Sequence, residues 1–160
     1  MYGGLWVMAL TESRSLYEQD ILLWVEDTVA KLRAGDFQGL DLDHVIEEIE
    51  AVGRSERREF LSRMTRLLEH LLKRLYVPLP DNYRGWEQTI RHQRSELRIL
   101  LKSTPSLKAL WEGTLEEGWS IALDNVSGEY EGIRFPDRWP FGGSVEVLLG
   151  RDVWLEAGGT

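Results

Sequence analysis

The chain has 160 residues, a formal net charge of -8 with histidine neutral, and no cysteine. A chain of this length can bury a core of its own, and the lack of cysteine excludes disulfides, thiolate nucleophiles and cysteine-based metal sites. No apolar run approaches the length of a membrane-spanning helix, and the apolar stretch at residues 5–10 is too short for an export signal, so we expect a soluble cytoplasmic protein.

The first helix is predicted from its end signals. Residues 1–14 precede any helix signal and are expected to form a flexible tail, which leaves a single helical domain over residues 15–156. Ser15 and the glutamate three residues later have the spacing of a capping box, so the helix is expected to begin at Ser15. It should end at Gly35, because helices commonly end with a glycine in the left-handed conformation.

The second helix is predicted to begin at Asp41 or Asp43, either of which can cap it, and to end before Pro78. At 100° per residue its apolar residues form one stripe that should face a core. The stripe consists of Leu42, Ile46, Ile49, Gly53, Phe60, Met64, Leu67, Leu71 and Leu75. A straight helix of about 36 residues would reach about 54 Å, longer than a compact globule of about 40 Å. The helix therefore projects, breaks near Gly53 or is completed by a second subunit.

Two more helices and an arm complete the predicted fold. A third helix follows the turn after Pro78, and Thr104-Pro105 reads as the cap and first-turn proline of a fourth, which ends near Gly128. The segment from Ile133 to Gly143 contains two prolines and two glycines among aromatic residues. We therefore predict an all-α fold with four principal helices in an irregular bundle, covered by an aromatic, proline-containing C-terminal arm.

Charge is divided unevenly along the chain. Residues 54–108 hold thirteen Lys/Arg against six Asp/Glu, whereas the remainder holds six against twenty-one. We expect the basic and acidic segments to pair with each other, either within one chain or between two chains head to tail. Nucleic-acid binding is disfavoured, because few aromatic residues accompany the basic ones and the acids dilute the field. The basic residues of that alternative are Arg57, Arg58, Arg66, Lys73, Arg91, Arg98 and Lys102.

Several motifs, in order along the chain, resemble one family. They are LYEQD with a later tryptophan (Leu16–Asp20, Trp24), LDLDHVIEEIEAVGRSERRE (Leu40–Glu59), HLLKRLYVP (His70–Pro78), W-x-x-T-I-x-x-Q-R (Trp86–Arg94) and PSLK (Pro105–Lys108). The chain is similar over about residues 15–156 to the bacterial family called domain of unknown function twenty-nine. The resemblance implies an all-helical fold with a trailing arm. It implies no activity, so no catalytic residue is carried over.

The histidines do not form a recognisable metal motif. Carboxylate-bridged di-metal bundles need Glu-x-x-His on two helices, whereas Leu67 and Thr89 stand three residues before His70 and His92. Asp41-x-x-His44 remains, and there the aspartate is better explained as a helix cap. We expect no metal and no cofactor.

Polar residues beside the apolar stripes give two competing hypotheses. Glu56 lies within the stripe of the second helix, and Gln93 lies in that of the third. The favoured interpretation is a structural network of ion pairs between helices. The alternative is a small-anion site or an enzyme site. Its anion-binding candidates are Arg63, Arg74, Arg91 and Arg94, and its catalytic candidates are Glu56, His70, Arg91 and Arg94. The sequence leans away from an enzyme.

The tryptophans point to a partner. Seven exceed what a core of this size normally requires, and aromatic residues concentrate at protein interfaces. We assign Trp111, Trp139 and Trp154 to an interface. With the overlong second helix, they favour a protein-interaction or regulatory module that associates with itself as a homodimer, or with another protein.

Overall fold

A computed structural model of the chain describes residue 8 and residues 16–157. All regular structure in this part of the chain is helical, which confirms the all-α fold class. The helices are α1 (Ile21–Ala34), α2 (Leu42–Tyr76), α3 (Pro80–Ser103), α4 (Trp111–Glu129), α5 (Val145–Gly150) and α6 (Trp154–Ala157), with a 3-10 helix at Pro105–Leu110 before α4. No described helix is long and apolar enough to cross a bilayer. The predicted tail, residues 1–14, lies outside the described residues except for Met8.

Helix α1 begins at Ile21, and the capping box predicted at Ser15 lies outside the described residues. Residues 16–19 are helical, but Asp20 has an extended backbone (φ -153°, ψ 97°) and interrupts the helix. Its carboxylate accepts the backbone N–H groups of Leu22 and Leu23, both at 3.1 Å. A side chain that satisfies two of the free donors of the first turn fixes the helix start at that position. Gly35 ends the helix with φ 72°, as predicted.

Helix α2 confirms the long second helix, running without interruption through Gly53 to Tyr76. Contacts divide the chain into two compact units, residues 1–55 and 56–160, which we call unit one and unit two. The boundary falls inside α2. The sequence favours one domain over residues 15–156, and that domain count stays a prediction.

Unit two has a filled core. Its buried apolar residues are Phe60, Met64, Leu67, Leu68, Leu71, Leu72, Val77, Trp86, Ile90, Leu97, Leu100, Leu101, Leu107, Trp111, Ala122, Val126, Phe135, Leu148, Leu149, Val153 and Trp154. Helix α4 approaches α2 closely at Gly118, where an added Cβ would lie 3.2 Å from Met64 Cγ and 3.3 Å from Thr65 Oγ1. These distances are shorter than ordinary van der Waals contacts, so a glycine at this position permits the close approach of the two helices.

The fourth helix begins later than predicted. Thr104-Pro105 opens the 3-10 helix, and α-helical structure starts only at Trp111. The Thr104 hydroxyl makes no cap; it donates to Glu56 Oε2 at 3.1 Å instead. Because the capping group is used in this contact with α2, the segment after Pro105 continues as the tighter turn that commonly precedes an α-helix.

The apolar stripe of α2 is buried only in part. Phe60, Met64, Leu67 and Leu71 belong to the unit-two core, but in unit one Leu42, Ile46 and Ile49 are 55%, 55% and 67% exposed. The prediction that the whole stripe is hidden is therefore wrong for its first three turns. Within unit one, the inward edge of α2 is a polar one.

Candidate interaction sites

The inward edge of α2 in unit one carries a polar and aromatic cluster. His44 Nδ1 donates to Asp41 Oδ2 at 2.5 Å. The Tyr17 ring stacks on the His44 ring with centroids 3.8 Å apart, and the Tyr17 hydroxyl donates to Glu48 Oε1 at 2.7 Å. Trp24 packs edge-on against Tyr17 at 5.0 Å. The cluster therefore joins the start of α2 to the segment around α1.

The spacing of these residues explains why the stripe points outward. Asp41, His44 and Glu48 are three and four residues apart, so they share one edge of α2, which differs from the edge that Ile46 and Ile49 share. When the polar edge meets Tyr17 and Trp24, the apolar stripe remains in solvent. Sequence reasoning noticed Asp41-x-x-His44 but explained the aspartate as a cap, and it missed Tyr17 as the partner.

The chemistry of this cluster is limited. The hydrogen bond to Glu48 raises the pKa of Tyr17 to about 12, because a phenolate beside a carboxylate is unfavourable. Tyr17 therefore stays neutral near pH 7 and is a poor nucleophile. Among residue 8 and residues 16–157, no group of three or more His, Asp and Glu residues is arranged to hold a metal ion.

Ten large apolar side chains of α1 and the first turns of α2 are more than one third exposed. Leu23 lies on the opposite side of α1 from the others. The remaining nine, which we call the unit-one apolar surface, are Ile21, Leu22, Val25, Val29, Leu32, Leu42, Ile46, Ile49 and Val52. In the same unit only Trp24 and Leu40 are buried among the apolar residues described. An amphipathic helix normally buries its apolar stripe against another element, so this surface is the feature of unit one that most needs an explanation.

The predicted catalytic residues are engaged separately. Glu56 accepts from Thr104, and His70 Nδ1 donates to the Arg66 carbonyl of its own helix at 2.9 Å. Burial lowers the pKa of His70, because the imidazolium would lose its hydration. Arg91 is exposed on α3, whereas Arg94 is buried. None of the hydrogen bonds found for these four side chains in the described structure joins two of them.

Arg94 fastens the C-terminal segment to α3. Its Nε donates to the Leu148 carbonyl at 2.8 Å, one terminal nitrogen pairs with Asp152 at 2.7 Å, and the other donates to the Arg151 carbonyl. The side chain is only 5% exposed. Neighbouring Arg98 donates to the Leu149 carbonyl. A guanidinium that caps two carbonyls and one carboxylate has a clear structural role.

Two of the other predicted anion-binding arginines, Arg63 and Arg74, have acidic partners. Arg63 pairs with Glu59 at 3.0 Å and with Glu96 at 3.1 Å. Arg74 pairs with Glu87 at 2.6 Å. An incoming anion would have to displace these carboxylates, so the contacts favour the network of ion pairs between helices over an anion site. The anion site itself stays a prediction.

The three predicted interface tryptophans have different environments. Trp111 is 5% exposed and its indole N–H donates to the Gly143 carbonyl at 2.8 Å. Trp154 is 8% exposed and lies under the guanidinium groups of Arg74 and Arg94. Both therefore pack inside the chain. Trp139 is half-buried and leaves aromatic surface for a partner.

A groove lies between α4 and the arm of unit two. Its volume is about 1240 Å³, and Leu115, Trp119 and Trp139 contribute apolar walls. Gly143 lies so close to the α4 side of the groove that an added Cβ would be 2.6 Å from Leu115 Cδ2. Sequence reasoning missed Trp119 as part of this site. Its position two turns after Trp111 on the same helix was the available signal.

The fold defines an all-helical protein in which one half of a long helix is packed and the other half is exposed. The family model described as Domain of unknown function DUF29 matches residues 16–154, and the chain belongs to this family. This confirms the resemblance carried by the sequence motifs. No curated protein and no solved structure matches the chain.

Proposed function

We propose that this protein is a protein-interaction module that associates with a second copy of itself through the unit-one apolar surface. The supporting observation is that surface: two consecutive helices leave their apolar stripes in solvent while burying little else. Exposed apolar surface of this extent is typical of interaction sites. A second copy offers the same stripes, and two helices from each copy can form a four-helix arrangement with twofold symmetry.

The area is of the size a dimer needs. Nine side chains, each roughly half exposed, offer on the order of 500 Å² of apolar area per copy. A standard interface buries about 800 Å² per partner, of which about 65% is apolar in homodimers. The estimate therefore matches a dimer interface with a polar rim.

Acidic side chains next to the stripe make the proposal sensitive to salt. Asp43, Glu47 and Glu50 are exposed beside the apolar residues of α2. Pairing two such surfaces brings like charges together at the rim, and salt screens their repulsion. Association through the apolar surface should therefore strengthen as salt increases. Head-to-tail pairing of this acidic unit with the basic residues 54–108 should weaken under the same conditions.

Light scattering across a concentration series tests the proposal. The wild type is expected to double its mass with rising concentration, and the double variant Ile46→Gln, Ile49→Gln is expected to stay monomeric, because two amides replace apolar contacts. The matched control is Ile99→Gln, Ile121→Gln, which changes two exposed isoleucines of unit two and should dimerise like the wild type. A wild-type monomer at high micromolar concentration, together with affinity isolation from cells that returns no protein, would refute the proposal.

A further inference from the structure

We propose that the groove between α4 and the arm binds an extended segment of a partner protein through a lysine or arginine side chain of that segment. The groove lies in unit two and shares no residue with the unit-one apolar surface, so this inference goes beyond the self-association proposed above. Three features of the groove support it, namely the contacts of its aromatic rings, the charge of its walls and its size.

The aromatic rings of the groove are held in place by contacts within unit two. Trp119 and Trp139 lie 5.9 Å apart between centroids at 65°. The Trp119 indole N–H donates to the Asp137 carbonyl at 3.1 Å, and that of Trp139 donates to the carbonyls of Phe141 and Gly142 at 3.0 Å. With both indole donors engaged within the chain, the half-buried rings can contact a ligand only through their π systems. A cation over an indole face is the favourable complement.

The charged residues that line the groove also favour a cationic ligand. Four acids line it, Glu112, Glu116, Asp137 and Glu146, against the two bases Lys108 and Arg138. None of these four carboxylates is paired with a cation in the part of the chain that the structure describes. Glu112 and Glu116 are also one turn apart on α4, where like charges repel and a cation placed between them would relieve the repulsion.

Unit two already holds a guanidinium by the same chemistry elsewhere. The Arg74 guanidinium lies 4.0 Å from the centroid of the Tyr83 ring and pairs with Glu87 at 2.6 Å. Lys73 is bound in a similar way, 5.7 Å from the Tyr130 ring and 2.5 Å from Glu129. The groove presents aromatic rings beside carboxylates that form no ion pair with a cation of the described chain. A lysine or arginine of a partner would complete the same arrangement.

The size of the groove favours a peptide segment over a small molecule. Small-molecule pockets are typically about 300–1,000 Å³ and enclose most of their ligand. This groove, at about 1240 Å³, is larger, and it runs from Lys108 in the 3-10 helix along α4 to Leu123, about four turns of helix. A segment of several residues can lie along it and place one basic side chain against the tryptophan rings and the nearby carboxylates.

Titration with short capped peptides tests the proposal. We use acetyl-Ala-Arg-Ala-Arg-Ala-amide, the same peptide with glutamate in place of arginine, and free arginine, and follow tryptophan fluorescence and calorimetric heat. Saturable binding is expected for the arginine peptide alone, with affinity falling as salt increases. Binding by free arginine as tight as by the peptide would refute the choice of an extended segment.

Charge-matched variants separate the groove from the general acidity of the protein. Glu112→Gln, Glu116→Gln is expected to weaken peptide binding about tenfold, and Trp139→Leu by a similar factor. The control, Glu117→Gln, Glu131→Gln, neutralises two exposed acids that do not line the groove and should change affinity less than twofold. Equal weakening by both double variants, or no saturation at millimolar peptide, would overturn the proposal.

The experiment also distinguishes this proposal from self-association. The Ile46→Gln, Ile49→Gln variant should bind the arginine peptide with wild-type affinity, and the groove variants should keep the wild-type mass in light scattering. Circular dichroism checks that each variant is as helical as the wild type. Loss of peptide binding in the unit-one variant would contradict the assignment to the groove.

Discussion

Unit one and unit two contain consecutive parts of the same helix α2, but the apolar stripe of this helix is exposed in unit one and buried in unit two. Of seventeen large apolar side chains that are exposed in the described chain, twelve lie in residues 1–55, although unit two is much the longer. Unit two buries twenty-one of its described apolar residues in one cluster, whereas among the described residues of unit one only two apolar ones are buried. The comparison shows that an amphipathic pattern specifies a helix and an apolar face, but it does not specify what covers that face.

The difference between the units is tested most directly by truncating one apolar side chain of α2 to alanine in each unit. Leu68→Ala in unit two should lower the free energy of unfolding by about 3–4 kcal/mol, because the side chain is fully buried and leaves a cavity. Urea denaturation at a concentration where the protein is monomeric measures this loss.

Ile49→Ala is the matched change in unit one. Because Ile49 is 67% exposed, its loss should cost about 0–0.5 kcal/mol in the monomer, and alanine is the better helix former. At concentrations where the chain self-associates, the cost should rise. Equal destabilisation by Ile49→Ala and Leu68→Ala in the monomer would contradict the difference between the units.

Within unit two, a second change tests how the arm is held. Arg94→Met should destabilise the protein by about 2–3 kcal/mol, because the buried Leu148 carbonyl and the partly buried Arg151 carbonyl lose their donor. Thermal or urea unfolding measures the change. Arg98→Met, which removes one hydrogen bond to the Leu149 carbonyl from a more exposed position, should cost less. The reverse order of the two losses would count against the proposed role of Arg94.

The smallest expected effect concerns pH. Burial lowers the pKa of His70 below its ordinary value of 6.5 in the folded chain, so the unfolded chain takes up the proton first. His70 therefore favours folding fully above about pH 6.5, and this contribution is lost as pH falls through the folded pKa. His70→Gln should flatten the decline in stability between pH 7 and pH 5, whereas His92→Gln, at an exposed residue, should not. Identical pH curves for the wild type and His70→Gln would contradict this account.

The predicted network of polar residues shows where sequence reasoning reached its limit. Glu56, Gln93 and Arg94 were correctly singled out as polar residues beside apolar stripes, and each makes a long-range hydrogen bond in unit two. The partners were not predictable, because Thr104 and Leu148 are 48 and 54 residues away along the chain. Helical periodicity gives the side of a helix on which a residue lies, and only packing decides which segment meets that side.

Local signals were likewise reliable only where no stronger neighbour competed. Gly35 ends α1 in the left-handed conformation, as its position predicts. Thr104 donates its hydroxyl to Glu56 instead of capping a helix. The predicted cap was lost because packing placed a carboxylate within reach of the same hydroxyl.

The sequence by itself determined that this protein is built from four principal helices, that the second is long, and that the chain belongs to one family, because helical periodicity, end signals and motif order are local properties. Only the tertiary structure decided that the polar edge of α2 faces Tyr17 in unit one, that the apolar edge faces the core in unit two, and that Trp119 and Trp139 meet across a groove. These outcomes depend on contacts between distant segments, whose free energy is set by the whole packed arrangement rather than by the pattern of any one helix.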